Sequence, residues 1–304
     1  ISFAKQHQPE IIQGWMYHGN LAASFLKLIL KPNSFLIWNI RQTLSEPKRE
    51  KPLTNLIINV CAFISIMPSK IVFNSYLSAE QHQKRGFRKS SCLIIPNGFD
   101  LDGFKPNARL REKIRFHMGI KTNVVLVGHV ARFHPMKDHA GMLRAASKVL
   151  EKKSDVIFAF AGLNMNQNNV EIVRLIKDLK LEKNILLLDE RKDLEVLMTA
   201  FDLFVSSSAW GEGFPNVVGE AMATCVPCVV TDCGDSSYVV GNVGAVVPTL
   251  NVKALSEAIV KMIDMPAKAR VSLGLECRKR IETRFSIDKV GNAYLKLYKE
   301  AAAY

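Results

Sequence analysis

The sequence predicts an α/β protein built from two Rossmann-like domains, the first one incomplete. Three observations carry this reading. Short apolar runs alternate with helix-period stretches along the whole chain, the pattern of parallel strands joined by crossover helices. At 304 residues the chain is long enough for two cores. The alternation breaks once, over 99–108, and restarts at Val124. These features set the expected domains at 1–100, 101–284 and a C-terminal helix at 285–304 that packs back toward the first domain.

The first domain opens abruptly. Pro9-Glu10-Ile11-Ile12-Gln13-Gly14-Trp15 reads as the body of a strand, and helical spacing follows at Leu21, Phe25, Leu28 and Ile29. A strand at 35–38, a helix over 53–66 and a strand at 70–74 come next. A further helix runs to Arg85, with Gly86 placed to cap it. The strand 92–95 ends at Pro96-Asn97-Gly98. In the second domain, strands are expected at 124–128, 156–162, 184–188, 201–205 and 228–231. Helices are expected over 137–150, 170–179, 215–224 and near 252–263. The tail 267–303 is helical and amphipathic, broken near Phe285-Ser286.

Composition is that of a globular protein, 48% hydrophobic and 23% charged. Net charge is less ordinary, at +13, with about +7 of it on the first 105 residues and clusters at Lys48-Arg49, Lys84-Arg85 and Arg88-Lys89. Such an excess points to an anionic partner, first a membrane surface or phosphates. Nucleic acid is excluded, because no aromatic residues interleave with the bases. The six cysteines are scattered. Cys225-Val226-Pro227-Cys228 has redox or zinc spacing, but no second pair completes a metal site and the segment leads into a strand. Structural thiols in a reducing, cytoplasmic setting are expected. Residues 53–69 are uncharged yet too short for a membrane span, and no signal peptide is expected.

Chemistry concentrates in two stretches after strands. In Trp210-Gly211-Glu212-Gly213-Phe214-Pro215-Asn216-Val217-Val218-Gly219-Glu220, a two-glycine turn feeds a helix, with Pro215 suited to its first position. The unpartnered amides and positive end of a helix start hold anionic oxygens. Glu212 and Glu220 bracket that turn, and carboxylates accept from sugar hydroxyls. In Gly128-His129-Val130-Ala131-Arg132-Phe133-His134-Pro135-Met136-Lys137, Gly128 permits close backbone approach. Arg132 and Lys137 put a planar fork and a point charge on one loop. Both stretches follow strand ends, the edge where such sheets bind ligands.

Gly-x-x-x-Arg-x-x-x-x-Lys at 128–137, Ala161-Gly162, Leu186-Leu187-Leu188-Asp189-Glu190-Arg191 and the Glu-x7-Glu of Glu212 and Glu220 resemble the retaining GT-B glycosyltransferases of family four. Pro96-Asn97-Gly98-Phe99-Asp100 with Phe104-Lys105-Pro106 resembles that family's crossing between domains. Trp15-Met16-Tyr17-His18-Gly19-Asn20 is similar to members that build bacterial surface polysaccharides.

The resemblance implies transfer of a sugar from a UDP- or GDP-sugar donor to a lipid-linked or saccharide acceptor, with retention, near the inner membrane. Arg132 and Lys137 would hold the diphosphate and stabilise the leaving group. Glu220 would bond the ribose and Glu212 the donor sugar. Gly128, Gly162, Gly213, Phe214, Asn216 and Val217 would line the donor, with Glu190 and Arg191 beside the base. His18 is the acceptor-side candidate, and Arg41 stands where many relatives place a histidine. No metal or other cofactor is expected; Asp100-Leu101-Asp102 has a metal motif's spacing but sits in the linker. The family's opening strand, glycine-rich loop and following units are missing ahead of Pro9, and Cys225 replaces a usual glycine. A nucleotide-sugar epimerase of the same fold and a donor-binding module without turnover stay open as alternatives.

Overall fold

The computed structural model describes residues 1–30, 34–44 and 52–302. The Lys48-Arg49 cluster and the end of the tail at Ala303 lie outside them. Described residues divide into two compact units. One comprises Ile1–Gly98, Gly211–Phe214 and Ile287–Tyr304, the other Phe99–Trp210 and Pro215–Ser286.

The first unit holds a four-stranded parallel sheet in sequence order: β1 (Ile11–Trp15), β2 (Phe35–Ile40), β3 (Lys70–Phe73) and β4 (Cys92–Ile94). A short α1 (Ser2–His7), which the sequence reading passed over, precedes the sheet. Helices α2 (Met16–Leu30), α3 (Pro52–Phe63) and α4 (Tyr76–Lys84) make the crossovers. Helix α3 ends three residues sooner than expected, in the turn before Pro68. Gly86, at φ +101, closes α4 as its left-handed cap.

Trp38, Phe73, Ile58 and Phe87 fill one face of this sheet. Among them His82 takes a bond from the Tyr17 hydroxyl (2.8 Å) and donates to the Ser78 carbonyl (2.7 Å). Burial drives its pKa down to about 4, so it is a neutral core imidazole. The C-terminal helix α13 (Ile287–Ala302) covers the other face, seating Leu297 on Ile37, Val72 and Ile95.

The second unit runs α5 (Ala108–His117), β5 (Val125–Val130), α6 (His139–Leu150), β6 (Val156–Ala161), α7 (Val170–Asp178), β7 (Ile185–Leu187), α8 (Leu194–Ala200), β8 (Leu203–Ser206), α9 (Asn216–Ala223), β9 (Cys228–Thr231), α10 (Ser236–Val240), β10 (Ala245–Val247), α11 (Val252–Asp264) and α12 (Ala267–Phe285). Its six parallel strands are ordered β10-β9-β8-β5-β6-β7. The order reverses between β5 and β8, which makes that edge the topological switch point where doubly wound sheets bind ligands. The core beneath it is Val127, Phe158, Phe160, Leu203, Val205 and Val229, packed against Met142, Leu143 and Ile259.

Several expectations are corrected here. Residues 99–108, the linker candidate, open the second unit as a folded corner. Phe99 bridges Ser286, and Asp100 accepts the amides of Asp102 (2.9 Å) and Gly103 (3.1 Å). Asp100 is therefore a turn-former. Helix α6 starts at His139, not at 137, because Pro135–Lys137 forms a separate 3-10 turn. Asp138, at φ +47, then caps the helix through the Gly141 amide. Pro215 is the cap of α9 rather than its first residue, since its extended ψ of 96° stops helical geometry there. The six cysteines are free thiols. Cys225, at the left-handed φ of 62°, closes α9 in a conformation that favours glycine.

Candidate active site

The site in the second unit is built at the exits of β5 to β8. Leaving β5, the chain stays beside β6: Ala131 N–H donates to Ala161 O (2.8 Å) and Phe133 N–H to Leu163 O (2.8 Å). Gly162 makes this approach possible. Its φ is +143°, and a Cβ there would stand 2.2 Å from the Ala131 carbonyl oxygen. The Gly162 amide donates to Asp189 O (2.8 Å), linking in the loop after β7 that carries Glu190 and Arg191.

The β5 and β8 loops are stitched together across the switch point. The Ser207 hydroxyl donates to Lys137 O (2.7 Å), and the Ala209 amide donates to Met136 O (2.8 Å). From underneath, His139 donates through Nε2 to the Arg132 carbonyl (3.0 Å). His129 donates through Nδ1 to Val205 O (2.9 Å). The two rings meet edge to face at 5.0 Å. Burial lowers both pKa values, that of His129 to about 3, so a pair of neutral rings supports the loop. Arg132 is exposed and Lys137 half-buried above them.

Helix α9 starts at the exit of this same β8 loop, with Asn216 and Val217 in its first turn. One turn further in stands Glu220. Its Oε2 is buried without a hydrogen-bond partner among the described residues, and burial pushes the carboxyl pKa up to about 7. A buried acceptor left unpaired is costly. It marks a place for a hydroxyl or another donor that the chain does not supply.

The other site residues from the sequence distribute as follows. Gly128 lies inside β5, where a Cβ would fall 2.3 Å from the Phe201 ring, so its small size accommodates Phe201. Arg191 forms a two-pronged pair with Asp193 (2.8 and 2.6 Å), while Glu190 beside it is exposed. Glu212, Gly213 and Phe214 belong to the first unit. There a Cβ on Gly213 would meet Asn74 Oδ1 at 3.8 Å and Thr43 at 3.9 Å, ordinary contact. His18 is exposed on α2 of the first unit. The sequence therefore brings Arg132, Lys137, Asn216, Val217 and Glu220 together on one sheet edge. It does not do so for His18.

A polar cluster that sequence reasoning passed over sits at the carboxyl ends of the first unit's strands. Asn39 is next to last in β2, Asn74 follows β3 and Asn97 lies just beyond β4. Asn74 donates to Asn97 (3.3 Å), as does the Arg41 guanidinium. The Tyr294 hydroxyl of α13 donates to Asn39 (2.8 Å), and Arg41 also stacks over Trp15 at 5.5 Å. Asn20 Oδ1, Asn39 Nδ2, Thr43 Oγ1 and Asn74 Oδ1 are buried without partners among the described residues. The repeated signal was visible as an asparagine closing three successive apolar runs.

Residues 111–280 match the family described as Glycosyl transferases group 1. Over 213 residues the chain is 30% identical to the UDP-Gal:alpha-D-GlcNAc-diphosphoundecaprenol alpha-1,3-galactosyltransferase of Escherichia coli, covering 66% of this chain and 53% of that one. A Campylobacter jejuni N-acetylgalactosaminyltransferase named for a diphospho-undecaprenol substrate is 26% identical, covering 59% and 51%. The chain thus spans about half the length of these curated relatives. Among solved structures, Anabaena HepE in complex with UDP and glucose superposes with a TM-score of 0.84 at 22% identity, covering 97% of this chain and 79% of that one. A glycosyltransferase of Rickettsia africae gives 0.84 at 20% identity, covering 99% and 79%. The fold, two Rossmann-like domains on parallel sheets, is GT-B.

Proposed function

The chain belongs to the group 1 glycosyl transferases, and on that premise we propose that it moves a sugar from a nucleoside-diphosphate sugar to a lipid-linked or saccharide acceptor with retention of configuration. In that reaction the bond from the sugar's anomeric carbon to the phosphate oxygen breaks and a bond to the acceptor oxygen forms. The acceptor's proton leaves with the diphosphate. Arg132, Lys137 and the start of α9 gain most as negative charge grows on the departing phosphate, so their attraction lowers the barrier. These side chains carry the positive charge the leaving group needs, and the reaction is expected to run in EDTA. Names of relatives favour uridine over guanosine: the Escherichia coli enzyme is named for UDP-Gal, and HepE was crystallised with UDP. The polar cluster of the first unit, where Asn39 Nδ2 and Asn74 Oδ1 are left over among the described residues, suits acceptor hydroxyls. A lipid-linked acceptor would bring the protein to the cytoplasmic face of the inner membrane.

The observation that carries this reading is the unpaired, buried Glu220 oxygen one helical turn beyond the switch point. Ribose hydroxyls are suitable donors to it. Calorimetric titration with UDP is the test: Glu220→Ala should weaken binding by about 1–3 kcal/mol, the scale of hydrogen bonds to a charged group. Unchanged affinity removes the assignment. Incubating UDP-sugars with and without a diphospholipid-linked saccharide separates transfer from epimerisation, since an epimerase isomerises the donor alone.

A further inference from the structure

Helix α3 of the first unit carries no charged residue, and only one of its sides is covered. Ile58 and Cys61 point into the core, whereas Leu53, Leu56, Val60 and Phe63 lie at helical spacing on the far side, 41–85% exposed. Ile66, in the turn that follows, prolongs this ridge at 68% exposed. An apolar helix face of this size left in water calls for an occupant.

The surroundings say which kind. Between 52 and 98 the chain has five basic residues and one acid, Glu80. Glu80 is engaged by Lys84 on the same helix. Arg85 lies along α3, its guanidinium donating to Asn55 (2.9 Å) and Asn59 (3.1 Å). Arg88 donates to the Ile66 carbonyl (3.5 Å) and to Ser90 (2.8 Å), and Lys89 is exposed next to it. Arg85, Arg88 and Lys89 make no ion pair with a described acid. Between the two arginines opens a cavity of about 570 Å³, bounded by Phe63 and Ile66 on its apolar side. Apolar ridge, cationic rim and a pocket holding two guanidiniums match, in order, the acyl boundary, anionic surface and phosphate of a phospholipid leaflet.

We propose that this face of the first unit docks on an anionic phospholipid surface, with the α3 ridge entering the acyl–headgroup boundary and a headgroup phosphate held between Arg85 and Arg88. A second protein copy would be met by the same cations on both sides, which disfavours self-association through this face. The proposal is independent of the nucleotide site in the second unit, and the two are read by different measurements.

Flotation of the whole chain with vesicles tests it. The chain should float with mixed phosphatidylcholine–phosphatidylglycerol vesicles and stay behind with phosphatidylcholine alone. Half-molar salt should release most of it. Arg85→Gln combined with Arg88→Gln should weaken the vesicle partition coefficient on the order of 20- to 30-fold, from about fivefold for each charge near a surface. Phe63→Ser should weaken it further without changing charge. Lys148→Gln with Lys177→Gln, on exposed helix positions of the second unit, removes equal charge and should leave it within about twofold. Unchanged UDP affinity and melting temperature show that each variant is folded. Equal partition into neutral vesicles, equal loss from the two charge pairs, or a dimer in sedimentation that Phe63→Ser abolishes without any vesicle binding would each overturn the proposal.

Discussion

At the scale of single residues, two buried titrating groups pull stability in opposite directions. Glu220 has its folded pKa raised to about 7 against 4.5 when unfolded. Its favourable term is complete below pH 4.5 and is lost as pH rises through 7, about 3 kcal/mol in all. His129 has its folded pKa lowered to about 3 against 6.5. Its term is present above pH 6.5 and is lost as pH falls toward 3. Glu220→Gln should therefore expose the limb of the buried histidines His82, His129 and His139 alone: its unfolding free energy in urea should fall steadily from pH 6.5 to 4. Resonances of all three histidines titrating near 6.5 would refute this. The same glutamate links binding to protons. Hydroxyl donors favour the ionised carboxyl and lower its pKa. UDP binding should thus release a proton near pH 6 and tighten as pH rises to about 7. Calorimetry in two buffers of different ionisation enthalpy measures that release, and equal heats would show that Glu220 is not at the nucleotide.

At the scale of elements, the strand–helix series was legible because buried parallel strands write themselves as uninterrupted apolar runs, as in 124–128 and 156–162. Less legible were the pieces whose partner lies elsewhere. Strand β10 is three residues long and, among the described residues, pairs only with β9, while α8 and α10 are too short to show a period. The Arg132–Lys137 loop was legible from residue types in order, but its neutral histidine support was not, since a sequence does not show which imidazole is buried. The same blindness hid Arg115, a cation on the exposed-looking helix α5. It is buried, and donates to Ala200 O (3.0 Å), Val124 O (2.6 Å), Lys121 O (3.2 Å) and Asp202 (2.9 Å). Asp202 also takes Arg111 and the Leu126 amide. This network fastens α5 to the amino ends of β5 and β8, at the opposite edge of the sheet from the switch point. Without Arg115, Asp202 keeps Arg111 and the Leu126 amide, but the Lys121 and Val124 carbonyls lose a charged donor, so Arg115→Ala should cost about 2–3 kcal/mol in urea unfolding. A loss below about 1 kcal/mol would place Arg115 among ordinary surface ion pairs.

For the whole molecule, the chain's last helix belongs with Ile1–Gly98, not with the Phe99–Trp210 and Pro215–Ser286 segments that precede it. From the sequence, a helix over 285–304 that packs back toward the first domain is expected, set off by the break at Phe285-Ser286. Partnership is fixed by residues 285 and 255 positions apart: Tyr298 donates to Gln13 (2.6 Å), and Tyr294 to Asn39 (2.8 Å). Helix α13 also seals one whole face of the four-stranded sheet, with Leu297 in contact with Ile37, Val72 and Ile95. A sheet so narrow has no second apolar layer to offer on that side, and the helix is a condition of its stability rather than an appendage. Leu297→Ala should therefore destabilise the first unit by about 2–5 kcal/mol, the usual cost of emptying a leucine site in a core. Hydrogen exchange should register the loss on the amides of β2 and β3, while those of β5 and β6 stay protected. Equal loss of protection in both sheets would instead mean that the two units unfold as one body and that α13 holds no special place in the first.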